Sequence, residues 1–367
     1  MDIRNEMDRA GKNSVVAIFP ASGEAPERLG RTLRYAGLVV IDVNGTSPSS
    51  RMSRGVALPD IYDPAFADAL SSLVREHRVT RILTTSDVVH QRLSKLRDLL
   101  ALDMPEESPT EALISDWRRW DDDIALALQQ YVDLCTGLGA KAPTTADLAF
   151  VRGAAYTARA IPGQSTTSKL LALGAVSRCA PPGDVVEIGA YFGRSTWFLA
   201  QVAQRYQLGT TVAVDAWSAT VARQVHVENV INDATGDLDW GAIKGLFLDS
   251  VSPISRGGIT YIQGTSLEAN ELYRLSRFVV TEEFGEVETA GRVSLLHIDG
   301  NHDVEAVRED LDRWGSLVLP GGWIVCDDYR WLHGDGPQVA TDEFLRTEAS
   351  RVCRAFTLGN SAFLQFA

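Results

Sequence analysis

The sequence predicts an α/β protein in which a doubly wound, Rossmann-like sheet with an antiparallel last strand is joined to a smaller N-terminal α/β domain. Three observations favour this fold class. From residue 168 onward, apolar strand-like segments alternate with helical patterns. Residues 184–199, DVVEIGAYFGRSTWFL, change from a buried strand to a glycine turn and then to a helix. The last two strand-like segments, at 353–359 and 361–366, leave no room for a helix between them, so a hairpin joins them.

The pattern along the chain divides it into three regions. Residues 1–110 contain three strand-like segments with helical patterns between them and are predicted to form a small auxiliary domain. Residues 111–167 are predicted to be a helical connector, which follows the linker-like sequence MPEESPTEA. Residues 168–367 are predicted to form the domain with the larger sheet. Its first five strand-like segments lie at 184–189, 211–215, 259–263, 293–299 and 322–327.

Composition limits the classes of function. The chain has 367 residues and a formal net charge of −13, with 35 Lys and Arg against 48 Asp and Glu. Such a surplus of acid opposes binding to a phosphate backbone, so we expect a small-molecule substrate and no nucleic acid. The four cysteines lack the spacing of a zinc site or a disulfide framework. Because no apolar leader or long apolar run is present, we expect a cytoplasmic location and no membrane contact.

The glycine turn after the first strand of the larger sheet has the spacing E-x-G-x-x-x-G. A dinucleotide-binding turn would read G-x-G-x-x-G, but Tyr191 stands where its second glycine belongs. Gly189 and Gly193 permit close backbone approach at the start of the helix. Glu187 would repel a phosphate, whereas its charge suits the ammonium group of an amino acid. The turn therefore indicates S-adenosylmethionine (SAM) rather than a dinucleotide.

The next two strand ends supply further candidate SAM contacts. Asp215 lies 28 residues after Glu187, at the end of the adjacent strand, where a carboxylate can bind both ribose hydroxyls. Its alternative role is a helix N-cap. Trp217 offers an aromatic face to the adenine, and the sequence GTS at 264–266 lies near the adenine edge or forms an ordinary turn. The candidate SAM-binding residues are Glu187, Gly189, Tyr191, Gly193, Ser195, Asp215, Trp217, Gly264 and Ser266.

Three aspartates end the fourth and fifth strands of the larger sheet. Asp299 lies in HIDGNHD, and Asp327 and Asp328 lie in CDDY. Three neighbouring anions repel one another unless they are protonated or bound to a cation, and all-oxygen ligation selects Mg²⁺. The sequence therefore predicts a magnesium site. The alternative is that Asp327 or Asp328 caps the segment that follows.

Two histidines lie close to these aspartates. His302 follows Asp299 by three residues, and its neutral imidazole could accept a hydroxyl proton. Asp299 is the less favoured candidate for this base. His297 lies inside the strand, where we expect it to pack or to form hydrogen bonds within the sheet. His333, in the sequence WLHGDG, could line the entrance for a substrate.

The segments EIGAYFGRST, AVDAW and HIDGNHDVEAVREDLDRWGSLVLPGGWIVCDDY resemble the class I SAM-dependent methyltransferases. More narrowly, residues 168–367 resemble the metal-dependent O-methyltransferases of the macrocin and mycinamicin type, which modify sugars of macrolide antibiotics. The resemblance implies Mg²⁺ at Asp299, Asp327 and Asp328, although one of these positions can be Glu in the family. It also implies that His302 is the base, that Glu187 and Asp215 contact SAM, and that an N-terminal domain helps to build an oligomer and closes over the substrate.

The leading hypothesis is therefore a SAM- and Mg²⁺-dependent O-methyltransferase. Its acceptor would be a hydroxyl of a small natural product, such as a sugar of an antibiotic, and the protein would be a homo-oligomer. One alternative is a nicotinamide-dependent oxidoreductase, which Tyr191 and the acidic strand ends oppose. The other is a non-catalytic interaction module on the same fold, which the intact acidic and histidine positions oppose.

Overall fold

The computed structural model describes residues 14–45, 55–101, 103–225, 229–255 and 257–367. The chain divides into two compact units, residues 1–122 and 123–367, with the division inside one long helix. All four cysteines are free. Among the described residues, no helix combines the length and the apolar character needed to cross a membrane.

The N-terminal unit contains a sheet of four parallel strands in the order β3-β2-β1-β4. Three of them were predicted from the sequence. The fourth, β3, has only three residues, which is too short to produce a recognisable alternation. The strands are β1 (Val15–Ile18), β2 (Val39–Gly45), β3 (Val56–Leu58) and β4 (Arg81–Leu83), and the helices are α1 (Glu24–Tyr35), α2 (Phe66–Glu76) and α3 (Asp87–Leu100).

Helices follow this sheet, as the sequence predicts for the connecting region. Helix α4 (Pro109–Gly137) begins within the expected linker, because proline is well tolerated in the first turn. Helix α5 (Thr145–Ala158) begins with a capping box in which Thr144 and Asp147 bind each other's backbone. Helix α6 (Thr167–Cys179) is buried over most of its length and leads into the larger sheet.

The larger sheet has seven strands in the order β12-β13-β11-β10-β5-β6-β7. Neighbouring strands are parallel except for β13, which is antiparallel to both β11 and β12. The doubly wound sheet and its antiparallel last strand are thus confirmed. The strands are β5 (Asp184–Ile188), β6 (Thr211–Asp215), β7 (Ile259–Gln263), β10 (Val293–Ile298), β11 (Val318–Cys326), β12 (Val352–Leu358) and β13 (Ser361–Phe366).

Helices and one extra hairpin complete the larger unit. The hairpin, β8 (Phe278–Thr281) and β9 (Gly285–Glu288), forms a separate two-stranded sheet that was not predicted, since its strands have only four residues each. The remaining helices are α7 (Arg194–Arg205), α8 (Ala219–Ala222), α9 (Asn229–Gly236), α10 (Trp240–Val251), α11 (Ser266–Leu275), α12 (Val304–Gly315) and α13 (Gly336–Thr347), with a 3₁₀ turn at Ser252–Ile254.

The strand order indicates where the ligand crevice lies. Strand β5 pairs with β6 on one side and with β10 on the other, so the winding of the sheet reverses between β5 and β10. In doubly wound sheets, ligands bind outside the carboxyl ends of the strands at this reversal. The residues that follow β5, β6, β10 and β11 therefore form the candidate site.

One buried carboxyl lies away from this crevice. Asp310, on α12, is only 5% exposed, and it bonds to the Ser266 hydroxyl, which also accepts a hydrogen bond of 2.9 Å from the Trp314 indole. Burial raises the pKa of Asp310 to about 7. The folded protein therefore holds a proton that the unfolded chain releases at lower pH.

Asp310→Asn should make the protein more stable at alkaline pH. In the wild type, the stability contributed by protonated Asp310 is present at low pH and falls as pH rises from about 4 to 7, whereas Asn cannot ionise. The stability difference in favour of the variant should grow by on the order of 3 kcal/mol between pH 5 and pH 8. Urea unfolding at both pH values measures it, and Asp312→Asn, at an exposed position of the same helix, is the control. A difference that does not change with pH would contradict the buried protonated state.

Candidate active site at the carboxyl ends of the strands

The glycine turn after β5 is held by the carboxylate of Asp215. This side chain accepts hydrogen bonds from the backbone amides of Tyr191, at 2.8 Å, and Trp217, at 2.7 Å. Tyr191 has a positive φ of 49°, and Gly193, with φ 90°, precedes the first residue of α7. Burial raises the pKa of Asp215. Asp215 therefore joins the ends of β5 and β6, and its role in binding the ribose remains a prediction.

Gly189 is required by the protein's own backbone. Its φ is 89°, and a Cβ atom built on it would lie 2.1 Å from the carbonyl oxygen of Asp299. The close backbone approach expected at this position is therefore made by the end of β10. Space for SAM beside Gly189 remains a prediction.

Glu187 lies inside the protein. It is fully buried, and its carboxylate accepts hydrogen bonds from the Thr196 hydroxyl and from Nδ1 of His297, the latter at 2.9 Å. These contacts tie β5 to α7 and β10. Both carboxylate oxygens of Glu187 thus have buried partners, and its contact with the SAM ammonium remains a prediction.

Three other residues predicted to bind SAM also face the interior. The Trp217 ring is 5% exposed, packs against Phe247 and Tyr261, and donates its indole hydrogen to the Tyr191 carbonyl. Ser195 is buried as well. The Ser266 hydroxyl faces α12, as described above. These side chains therefore pack against the protein's own residues, and their contacts with SAM remain predictions. Gly264 donates its amide hydrogen to the Asp215 carbonyl and so extends the pairing of β6 and β7.

Asp299 and Asp327 lie together where β10 and β11 end, with the ammonium of Lys169 between them. Nζ of Lys169, on α6, is 2.8 Å from Oδ2 of Asp299 and also bonds Oδ2 of Asp327. The Ser361 hydroxyl donates to the other oxygen of Asp327, at 2.5 Å. Lys169, Asp299 and Asp327 thus form an ion-pair cluster at the ends of β10 and β11.

Burial and charge oppose each other in this cluster. Burial raises the pKa of Asp299 despite the nearby ammonium. Burial alone would raise the pKa of Asp327, but the Lys169 ammonium, His297 and the Ser361 hydroxyl together outweigh it and hold the pKa well below its usual range. Burial alone would lower the pKa of Lys169, but the two carboxylates raise it above its usual value. Lys169 is therefore a permanent cation at this site.

Asp328 is separated from the other two aspartates. Its carboxylate pairs with Nε2 of His302 at 3.0 Å. The backbone turns at Asp328, where φ is 50°, and successive side chains leave a strand on opposite sides. Among the described residues, the group with metal-ligand spacing is His297, Asp299 and Asp327. The three predicted magnesium ligands thus do not form one cluster.

Three neighbouring side chains hold the imidazole of His302 in position. Besides Asp328 at Nε2, the Gln224 side-chain amide lies 2.9 Å from Nδ1, and the Trp331 ring stacks on the imidazole with 4.2 Å between centroids. His333 contacts the edge of Trp331. His302, the predicted base, and His333, the predicted residue of the substrate entrance, therefore lie on the same wall of the crevice.

Sequence reasoning missed two residues of the site. Lys169 lies 130 positions before Asp299 in a helix with no recognisable motif, and Gln224 lies in the segment after α8. Neither position carries a local signal, because its contacts depend on the packing of distant elements.

Comparison with known proteins agrees with this geometry. Residues 186–329 match a family described as a methyltransferase domain, and this segment contains the glycine turn, Asp215, Asp299, His302 and both aspartates after β11. Residues 186–329 of the larger unit therefore form a methyltransferase domain, and the prediction of a methyltransferase enzyme is confirmed.

No curated protein sequence matches the chain. Among solved structures, the O-methyltransferase NovP is similar at 14% identity over 56% of this chain and 83% of that chain, with a TM-score of 0.40. The calicheamicin methyltransferase CalS11 is similar at 13% identity over 61% and 94%, with a TM-score of 0.40. An O-methyltransferase from Bacillus cereus is similar at 12% identity over 65% and 99%, with a TM-score of 0.38. Similarity at these identities and TM-scores does not identify the methyl acceptor.

Gly189→Ala should destabilise the protein strongly, because the new Cβ would clash with the Asp299 backbone. Gly359→Ala is the matched control, since φ is also positive there, at 59°, but nothing lies within 4 Å of the new Cβ. The loss at Gly189 should exceed the loss at Gly359 by about 2 kcal/mol or more in urea unfolding. Equal losses at the two positions would show that β5 and β10 do not approach as described.

Proposed function

We propose that the protein transfers the methyl group of SAM to a hydroxyl of a small acceptor, with His302 as the base that receives the hydroxyl proton. The observation that carries this proposal is the pairing of His302 with Asp328 directly after β10 and β11. A carboxylate that orients one nitrogen of an imidazole, and stabilises the imidazolium that forms, is a common arrangement for a general base.

The hydrogen bonds around His302 favour Nδ1 as the nitrogen that takes the proton. The Gln224 amide donates to Nδ1, so the ring hydrogen is assigned to Nε2, where it faces Asp328. An acceptor hydroxyl that replaced the Gln224 amide would give its proton to Nδ1. Its oxygen would then form a bond to the methyl carbon as the sulfur–methyl bond breaks, which yields a methyl ether and S-adenosylhomocysteine. Much of the acceleration would come from the alignment of the oxygen with the methyl group.

SAM would occupy the crevice beyond β5, β6 and β7, beside the glycine turn and Asp215. Trp331 and the exposed His333 would form the acceptor wall, and an aromatic face suits the C–H surface of a sugar. This supports the expectation of a hydroxylated natural product such as an antibiotic sugar. We also propose a cytoplasmic homo-oligomer in which the N-terminal unit contributes to assembly.

The magnesium dependence expected from the resemblance does not fit these residues. The ammonium of Lys169 already bonds the two carboxylates that would bind the ion, Asp299 and Asp327. The third expected ligand, Asp328, holds His302 instead. The proposed reaction therefore contains no step through a metal.

The function is tested by incubating the protein with SAM and a panel of hydroxylated acceptors that includes nucleotide-linked sugars, glycosylated macrolides and catechols. We expect S-adenosylhomocysteine and a product heavier by one methyl group with at least one acceptor class. Calorimetry should show binding of S-adenosylhomocysteine and no binding of NAD. Binding of NAD in place of S-adenosylhomocysteine would favour the oxidoreductase hypothesis, and SAM binding without any turnover would favour the interaction module.

His302→Ala should lower kcat by about 10²- to 10⁴-fold and leave the affinity for S-adenosylhomocysteine unchanged, because the imidazole serves the acceptor rather than SAM. Asp328→Asn should also lower kcat, since the amide no longer stabilises the imidazolium. His333→Ala, on the same wall, is the control and should affect KM more than kcat. Full activity of His302→Ala across the pH range would reject the base assignment.

A further inference from the structure

A single lysine bridges the two carboxylates at the acidic end of the larger sheet. In the parallel pairing of β10 and β11, Ile298 lies opposite Cys326, so the residues that follow, Asp299 and Asp327, leave neighbouring strands at the same level. Adjacent strands are about 4.8 Å apart, and two carboxylates at that spacing repel each other. The Lys169 ammonium lies within hydrogen-bond distance of both.

The position of Lys169 is fixed by its helix. The Thr166 hydroxyl accepts a hydrogen bond from the Lys169 amide and caps α6, and the next two residues, Leu170 and Leu171, are buried. The Lys169 side chain is 9% exposed. A buried ammonium without anionic partners would be strongly unfavourable. The burial of Lys169 and the charge of the two carboxylates therefore both keep its ammonium beside Asp299 and Asp327.

A divalent ion at the same carboxylates would have to displace this ammonium. Mg²⁺ requires near-octahedral oxygen ligation at about 2.0–2.1 Å, which leaves no room for Nζ between the two oxygens. The third member of the group, His297, offers a nitrogen, and Mg²⁺ prefers oxygen ligands.

We propose that Lys169 is the built-in cation of this site and takes the place of the divalent metal, so that this protein neither binds a divalent ion between Asp299 and Asp327 nor needs one for methyl transfer. The statement about methyl transfer rests on the proposed function, whereas the statement about binding does not. Lys169 acts here as a positioning residue, because it holds the two carboxylates rather than the reacting atoms.

The test is a titration of the full-length protein with Mn²⁺ in the presence of S-adenosylhomocysteine, with free Mn²⁺ followed by its paramagnetic resonance signal. The wild type should show no stoichiometric binding at this site. Lys169→Ala leaves the two carboxylates without their cation and should gain one Mn²⁺ per chain, with an affinity higher than that of the wild type by about tenfold or more. Lys169→Arg keeps the positive charge and should gain none.

Lys169→Met, which keeps the apolar length of the side chain, serves if the alanine variant does not fold, and thermal unfolding reports the folding of each. Stoichiometric Mn²⁺ binding by the wild type, or a folded Lys169→Ala or Lys169→Met protein that gains no Mn²⁺, would overturn the proposal. Wild-type turnover should also survive exhaustive chelation, and loss of turnover that added Mg²⁺ restores would overturn it. If no acceptor is methylated by any preparation, the proposed function fails, but the Mn²⁺ titration still decides the role of Lys169.

Discussion

The ion pairs of Lys169 with Asp299 and Asp327 are the interaction on which the arrangement of the site depends. They join α6 to the ends of β10 and β11. His297 lies next to this cluster, with Nδ1 bonded to Glu187 of β5 and Nε2 3.9 Å from the Asp299 carboxylate, which is beyond hydrogen-bond distance.

Two aspartates that are adjacent in the sequence, Asp327 and Asp328, have different roles in the site. Asp327 belongs to the ion-pair cluster, whereas its neighbour Asp328 turns away and holds His302. Lys169 contacts Asp299 and Asp327, and Asp328 pairs with His302 instead. The positive φ of Asp328, 50°, ends the extended backbone of β11 at the point where the contacts of the two aspartates diverge.

The sequence predicted the large-scale fold well because hydrophobic periodicity and glycine spacing are local signals. The parallel strands, the glycine turn and the antiparallel β13 all followed from such patterns. Short elements such as β3 and the β8–β9 hairpin gave too few residues for a pattern. At the site, the strand ends were located correctly, but the near-complete burial of Glu187 and Trp217 was not foreseen, because burial depends on the packing of distant elements. The role of Lys169 depends on packing between α6 and the sheet, which no local pattern records.

The most direct test of this account is anomalous diffraction from crystals soaked with S-adenosylhomocysteine and MnCl₂. The account predicts density for Lys169 Nζ between the carboxylates of Asp299 and Asp327 and no anomalous peak at that position. An anomalous peak coordinated by both carboxylates, with the Lys169 side chain displaced, would contradict it.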